Sequence, residues 1–446
     1  MKINLFLILT LLTSFAWGQD LPESLTLDEA ITFGLKNNSA IINADLEIQK
    51  AYKEKWKTIA IGLPQISAEA NYQNFLERPV SLVPAEFFGG IPGEFSELTF
   101  GTKQNLIGTV KLEQLIFDGS YLVGLEAIKV YLNISENLFK KTALEVKKLT
   151  VTTYTSVLLA EYNVNFLEKN IAKLEDNLTE VHQLFKNGFE EEESVEQIRL
   201  TLSSINSQLK YAKNFIKITE EILKFVIGYP LDQKLVLSSG VEDIFSEASL
   251  LIDKSDAVDI INNIDIQIAE NKMKSDALLF KLEKSKSLPK LMAFINGTYT
   301  GNSNEFTFTE NSQKWFGSSL VGVKLNIPIF SSLGRSANTQ KAKITLEQAK
   351  TNLNEVQNRV QIEVNAALND YQLAIENYFT EKENLRLAER IEKKNQTKYF
   401  EGMVSSFELR QAQLQLYTIQ SSFLNSINNV ITKKIELETL LNTPNP

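Results

Sequence analysis

The feature that most constrains the fold is the stretch of residues 188–230, because it occurs twice in the chain. A shift of 214 residues along the sequence places Gly188 on Gly402 and Pro230 on Pro444. Between these residues, an apolar position recurs every seven residues in both copies. These positions are Val195, Leu202, Leu209, Ile216 and Leu223 in the first copy, and Leu409, Leu416, Phe423, Val430 and Leu437 in the second. A strict seven-residue period predicts helices that supercoil around partner helices, so we expect an internal duplication built on long coiled-coil helices.

The composition argues against several classes of function. Of the 446 residues, 43% are hydrophobic and 23% are charged, which is typical of folded chains. The net charge of −9 argues against a nucleic-acid partner, because phosphate binding needs a basic surface. The absence of cysteine excludes disulfides and thiolate metal sites, and the single histidine, His182, has no metal-ligand companions in its predicted helix. We therefore expect neither a metal nor another cofactor.

Residues 1–18 have the pattern of a secretory signal peptide. Lys2 supplies the positive charge, a short apolar segment follows, and Ala16 and Gly18 are small residues at the positions that a signal peptidase reads. We expect the mature chain to begin near Gln19, where a lipoprotein would need cysteine. The sequence has no run of 18 consecutive apolar residues, so we expect no transmembrane helix.

The first half of the chain is predicted to contain a helix, two strands and two long helices. Thr26 and Glu29 form a capping-box pattern at the start of the first helix. Strict alternation of apolar and polar residues then predicts strands with one apolar and one polar face. The predicted elements are one helix toward residue 59, a strand over 66–76, a loop over 78–105, a strand over 106–117, and a helical region over 121–227 that reverses at Gly188.

The second half repeats this order, and Leu288 and Pro289 match Leu63 and Pro64 at a common offset. The predicted elements are a helix over 255–283, strands over 291–299 and 315–330, a long helix from 334, a reversal between 395 and 402, and a last helix to 442. The predicted organisation is a signal peptide (1–18), a first repeat (19–230), a linker (231–253) and a second repeat (254–446).

Two strands in each half give four strands in the chain. Four such strands cannot stand alone, because their edges and their apolar side would be exposed. Strands of about 10–12 residues suit a tilted span of an outer membrane, and only a closed barrel can span lipid as a sheet. The sequence therefore predicts a trimer in which three copies share one twelve-stranded barrel, with coiled-coil helical hairpins beneath it.

At this point the chain resembles the TolC-like outer membrane factors of Gram-negative bacteria. The resemblance covers essentially the whole mature chain. Each motif is weak alone, but their order, which occurs twice and follows a signal peptide, is specific. The motifs are residues 25–30, Leu63 with Pro64, residues 115–119, their counterpart at 327–330, and the duplicated helices that begin at a glycine.

The resemblance implies a passive exit duct of a tripartite efflux or type I secretion system. Such a duct is a homotrimer in outer membrane lipid, and its helices extend into the periplasm. Its partners are a periplasmic adaptor and an inner membrane transporter. The resemblance assigns no cargo, because specificity normally lies with the transporter.

The resemblance also implies a gate at the periplasmic helix ends, where acidic side chains constrict the duct. Matching on Gly402 places Glu408 at the outer acidic position and Gln411 where a second acid is found in the family. Tyr399 matches a tyrosine that ties the closed end together. In the first repeat the corresponding position is Ser194, which directly follows Glu193 and the rest of the acidic run 190–193. Such a run more often forms a solvated helix face, and that interpretation stays open here.

Two other interpretations compete with a channel. A periplasmic coiled-coil scaffold without a channel would explain the helices but has no use for four alternating strands. An enzyme would need a phosphate loop, a nucleophile elbow or a metal cluster, and no such motif is visible in the sequence. We therefore expect a protein that is not an enzyme.

Overall fold

The structure is a computed structural model that describes residues 22–240 and 260–441. The predicted signal peptide, the expected start at Gln19, residues 241–253 of the predicted linker and the predicted helix start at residue 255 lie outside the described residues. The predicted end of the last helix at residue 442 also lies outside them.

The described residues contain the predicted helices and strands in the predicted order, together with short strands that were not predicted. In the first half these are β1 (Ser24–Leu25), α1 (Leu27–Asn37), α2 (Ser39–Ala60), β2 (Gln65–Asn74), β3 (Val80–Pro84), β4 (Phe95–Thr99), β5 (Gln104–Asp118), α3 (Gly119–Lys186), α4 (Glu192–Ile227) and β6 (Val236–Leu237). In the second half they are α5 (Ile264–Ser285), β7 (Lys290–Ser303), β8 (Trp315–Asn326), α6 (Gly334–Phe400) and α7 (Ser406–Leu441).

The first helix begins as predicted but does not run unbroken toward Ile59. Thr26 caps α1 through a complete capping box with Glu29. The helix then ends at Asn38, whose backbone is extended. The side-chain oxygen of Asn38 accepts a hydrogen bond from the backbone N–H of Ala40 at 2.7 Å and so starts α2. Asparagine competes for backbone hydrogen bonds in this way. A prediction from apolar periodicity does not take this polar side chain into account, and it therefore gave one unbroken helix.

The chain folds into two compact units. Among the described residues, the first contains 22–43, 140–240, 260–263 and 361–441, and the second contains 44–139 and 264–360. The first unit holds most of α3, α4 and α7, and the second holds the strands β2, β5, β7 and β8.

In the first unit the seven-residue ladder is buried or half-buried at every position in both copies. Leu223 and Leu437 are almost completely buried, and both belong to clusters that join several helices. The short strands β1 and β6 pair in parallel, and the hydroxyl of Tyr154 donates to the carbonyl of Leu25 at 2.9 Å. The burial of the ladder positions confirms the prediction that the ladder is a packed helix seam.

In the second unit the strands form an antiparallel sheet in the order β2-β5-β7-β8. Ile66 lies opposite Leu112, Leu112 opposite Ile295, and Ile295 opposite Val321, so apolar residues form rows across the sheet. We call the side that carries these rows the apolar face. Its central members are Ile66, Ala68, Ala70, Tyr72, Leu106, Gly108, Val110, Leu112, Ala293, Ile295, Gly297, Tyr299, Trp315, Gly317, Ser319, Val321, Val323 and Leu325.

The opposite side of the same sheet, here called the polar face, carries the charged residues of the four strands. Lys111 and Glu113 form an ion pair there at 2.6 Å, and Lys290 pairs with Asp118 at 3.2 Å. The other charged members are Glu69 and Lys324. The predicted alternation of the strands is therefore confirmed.

Two further details differ from the sequence predictions. The predicted loop over 78–105 contains a second antiparallel ribbon, β3 paired with β4, whose strands are too short to give a clear alternation. The strand predicted over 315–330 ends at Asn326. Pro328 follows this end, and a residue without an N–H group cannot donate to a ladder.

Candidate functional site

The candidate site lies in the first unit, where two helical hairpins turn. The first hairpin is α3 with α4, joined by residues 187–191, and the second is α6 with α7, joined by residues 401–405. Gly188 and Gly402 both have left-handed backbones, with φ of 78° and 71°. In each turn the glycine N–H and the N–H of the next residue bond back to the end of the preceding helix, which is the Schellman arrangement. The repeated glycines therefore end both long helices at equivalent places.

A hydrogen-bonded cluster joins the two hairpins beside these turns. The hydroxyl of Tyr399, on α6, donates to Oε1 of Glu190, in the turn of the first hairpin. The hydroxyl oxygen of Ser194 lies 3.2 Å from Oε2 of the same carboxylate and 3.0 Å from the hydroxyl oxygen of Ser406, on α7. Tyr399 and Ser194 are both buried. Two of the predicted gate residues are thus brought together.

Apolar packing surrounds this cluster. Val181, Val195 and Leu409 are buried against Tyr399, and they come from three different helices. Burial raises the pKa of the Tyr399 hydroxyl above its usual value of 10.0, and the adjacent Glu190 raises it further. Tyr399 therefore stays protonated and remains a hydrogen-bond donor throughout the neutral range.

Glu408 makes its hydrogen bonds at the start of its own helix. Its carboxylate accepts from the backbone N–H of Ser405 at 2.9 Å, and its own N–H donates to the Ser405 hydroxyl oxygen at 3.3 Å. This is a capping box at the start of α7. Glu408 is exposed, and its carboxylate is bonded to its own helix start, not to the cluster around Tyr399.

The remaining predicted residues, Glu193 and Gln411, are exposed and lie outside the cluster. Glu193 accepts from the side chain of Gln197 at 2.6 Å on the surface of α4. Glu192 and Glu193 also occupy the first turn of α4, where negative charge is favourable because of the helix dipole.

Sequence reasoning placed Glu190 in an acidic run but did not assign it as the partner of Tyr399, and it missed Ser406. The tyrosine and its acceptor lie 209 positions apart, and their contact depends on how the two hairpins pack. The one usable signal was the predicted duplication, which places Ser194 and Ser406 close to equivalent positions of the two repeats.

Further polar contacts join the same hairpins along their length. They are Asn170 to Gln420 at 2.7 Å, Gln396 to Asn177 at 2.9 Å, and Lys173 to Glu392 at 3.2 Å. The Glu392 side chain is only 2% exposed, so removal of Lys173 would leave a buried charge without its partner. These contacts specify how the first hairpin aligns with the second.

Two further findings concern residues 22–240 and 260–441. Within these ranges no group of three or more His, Asp or Glu side chains is arranged to bind a metal ion. None of the helices in the described part of the chain is both long enough and apolar enough to cross a membrane.

Comparison with known proteins gives one family match. Residues 260–443 match the family model described as outer membrane efflux protein. No curated protein sequence matches the chain.

The fold also matches solved structures of channel proteins. CusC, whose structures concern folding and transmembrane channel formation, matches with a TM-score of 0.74 and 18% identity, over 93% of this chain and 91% of that one. The outer membrane protein VceC of Vibrio cholerae matches with a TM-score of 0.71 and 14% identity, over 93% and 95% of the two chains. The outer membrane channel CmeC of Campylobacter jejuni matches with a TM-score of 0.70 and 18% identity, over 93% and 85%.

Proposed function

We propose that this chain, whose residues 260–443 match the family model of the outer membrane efflux proteins, forms one third of a trimeric exit duct. The family match over residues 260–443 supports the resemblance inferred from the sequence, and the outer membrane is the location of that family. The sheet would lie in the membrane and the helical hairpins in the periplasm.

The observation that carries this proposal is that all charged residues of the four strands lie on one face of the sheet. The apolar face carries no charged residue, yet most of its side chains are exposed, with Val321 at 74% and Ile66 at 71%. A large exposed apolar surface indicates contact with lipid or protein. An apolar face outside and a polar face inside is the pattern of an outer membrane barrel.

The edges of the sheet support closure by further copies. Along the order β2-β5-β7-β8 each strand is antiparallel to the next, so β2 and β8 run in opposite directions. The β8 edge of one copy can therefore pair with the β2 edge of the next copy and continue the antiparallel pattern. Three copies would give twelve strands and leave no edge unpaired, as a sheet in lipid requires.

We infer that the chain is an internal duplication. The long helices α3 and α6 contain 68 and 67 residues, and α4 and α7 contain 36 each. The helices that precede the strands, α2 and α5, contain 22 residues each. The predicted repeat boundaries, 19–230 and 254–446, are the boundaries that this duplication would have.

The helical hairpins would form the periplasmic part of the duct and its gate. We assign the closed state to the cluster in which Tyr399 bonds Glu190 and Ser194 lies next to Ser406. A periplasmic adaptor, linked to an inner membrane transporter, would separate the hairpins and release these bonds. A few kcal/mol of differential binding suffices for such a shift. We assign the chain no catalytic step.

The decisive experiment compares two neighbouring residues on opposite faces of β8. Val321→Arg would place a charge on the apolar face, and Leu320→Arg would place it on the polar face. The two native side chains are both apolar and largely exposed. Arginine at the centre of a lipid-facing surface costs about 2–4 kcal/mol, so Val321→Arg should reduce the trimer recovered from outer membranes, and Leu320→Arg should not.

The same preparations test the alternatives. Wild-type protein extracted in detergent should be a trimer that conducts ions in planar bilayers. Equal recovery of both variants, or release of wild-type protein without detergent, would contradict the lipid-facing assignment and favour the scaffold without a channel.

A further inference from the structure

A small cavity lies beside the hydrogen bond between Tyr399 and Glu190. Its volume is about 20 Å³, which is sufficient for a water molecule. Both hairpins contribute to its wall. The polar residues that line it are Asn177 of α3, Ser194, Gln197 and Thr201 of α4, Tyr399 of α6, and Ser406, Arg410 and Gln413 of α7.

Two amide groups in this wall are buried and lack an acceptor. Asn177 is 2% exposed and Gln413 is 4% exposed. Their nitrogen atoms, Nδ2 and Nε2, have no hydrogen-bond partner among the residues that the structure describes. The orientation of Asn177 is fixed, because its oxygen accepts from Nε2 of Gln396 at 2.9 Å. Buried amide donors of this kind are normally paired, with protein or with ordered water.

We propose that this cavity binds one water molecule that connects the two hairpins. The water oxygen accepts hydrogen bonds from Nδ2 of Asn177, on the first hairpin, and from Nε2 of Gln413, on the second. Its hydrogen atoms have acceptors in the hydroxyl oxygens that line the same cavity. The Thr201 oxygen is available for this role, because its own hydrogen is donated to the carbonyl of Gln197 at 3.0 Å.

Water fits the cavity better than a small anion does. The Glu190 carboxylate is bonded to Ser194, which lines the cavity, and the rest of the acidic run follows directly in the sequence. Arg410 is the one charged residue among the described residues of the wall, and the four carboxylates of residues 190–193 outnumber it, so a further anion is disfavoured. Water also uses both the donors and the acceptors of the wall, whereas a halide could use only the donors.

The bound water would make part of the contact between the hairpins easily reversible. When the hairpins separate, bulk water can satisfy both amides, so opening leaves no buried donor unpaired. The presence of the water depends only on the packing of the hairpins. Its influence on opening rests on the proposed channel function, and the two are tested separately.

A crystal structure at high resolution tests the site itself. We expect one density peak about 2.7–3.2 Å from both amide nitrogens. Absence of a peak, or filling of the cavity by a side chain, would overturn the proposal. Crystals soaked in bromide distinguish the ligand, because an anomalous peak at this position would show a small anion in place of water.

A variant tests the influence on opening. Gln413→Met removes one donor and keeps a similar shape, and Gln415→Met, at an exposed position of the same helix, is the control. In planar bilayers Gln413→Met should raise the open fraction roughly two- to tenfold, the effect of one ordinary hydrogen bond. An unchanged open fraction, together with the density peak, would overturn the role in opening and leave the channel function intact.

Discussion

Glu408 and Ser405 cap the start of α7 through two reciprocal hydrogen bonds, at 2.9 and 3.3 Å. The same pair of roles is taken by Glu29 and Thr26 at the start of α1. A residue that the family resemblance places in a pore constriction therefore also caps the start of a helix. A substitution of Glu408 can therefore alter the charge in the duct, the helix cap, or both, depending on the residue that replaces it.

The first prediction separates them. Glu408→Gln removes the charge and retains the cap, because glutamine also serves at this position of a capping box. We expect the cation-to-anion permeability ratio to fall by roughly a factor of two to five, corresponding to less than about 1 kcal/mol for exposed charges. Reversal potentials in a salt gradient measure this ratio.

Glu408→Ala should change the ratio to the same degree and also lower the thermal stability. Glu29→Gln is the matched control, since it makes the same change at a capping box outside the helix turns. An identical permeability ratio in Glu408→Gln and the wild type would remove Glu408 from the constriction and leave it only a capping role.

The second prediction concerns the contact between Tyr399 and Glu190. Tyr399→Phe removes the hydroxyl and keeps the ring in its apolar surroundings. A hydrogen bond to a charged group contributes about 1.5–3 kcal/mol, so the ratio of open to closed channels should rise roughly 10- to 150-fold if the bond exists only in the closed state.

Single-channel recording measures this ratio. Tyr211→Phe is the control, because Tyr211 lies on α4 and is 73% exposed. A closed fraction that is the same in both variants would show that the hydroxyl of Tyr399 has no part in closure.

The third prediction tests the packing of the repeated ladder. Leu437→Ala truncates a side chain that is 1% exposed in the core of the first unit. Such truncations destabilise by about 2–5 kcal/mol. Leu414→Ala, on the same helix but 49% exposed, should change stability by about 0.5 kcal/mol or less. Thermal unfolding in detergent measures both, and equal effects would contradict the assigned helix face.

The fourth prediction is a pH dependence. Burial raises the pKa of Tyr371 from 10.0 to about 12, and the charge of Glu438 adds to this. The pKa of the Tyr371 hydroxyl is higher in the folded than in the unfolded protein. Its contribution to the free energy of unfolding is therefore fully present below pH 10. It is lost as the pH rises from 10 to 12, at up to about 1.4 kcal/mol per pH unit. Tyr371→Phe should reduce this slope.

Absorbance at 295 nm measures the ionisation directly. The difference between the wild type and Tyr371→Phe should show one tyrosine that ionises near pH 12. A midpoint near pH 10 would show that the hydroxyl is solvated in the folded protein.

The parts of the fold that the sequence predicted are those that depend on neighbouring residues. The ladder through Leu223 and Leu437, the capping box at Thr26 and the alternation in the strands are patterns of local spacing, and all were confirmed. The break at Asn38 was missed because apolar periodicity continues through it, although the Asn38 side chain takes a backbone hydrogen bond there.

The candidate site was predicted less completely for a different physical reason. Tyr399 and Ser194 were identified through the family resemblance, but the acceptor Glu190 follows only from the way two hairpins pack. Glu408 has a local signal, Ser405 three positions earlier, that indicates a capping box. The local pattern therefore indicates the contact that Glu408 makes within its chain, whereas its place in a constriction stays a prediction.

The bond between Tyr399 and Glu190 lies within a single chain. If three copies surround the duct, each copy carries its own bond, and breaking one leaves the other two in place. Each copy would then open independently of the other two, and the single-channel current should rise through discrete sublevels. A channel held shut only by bonds between subunits would lack such independent steps, because each bond would couple two neighbours.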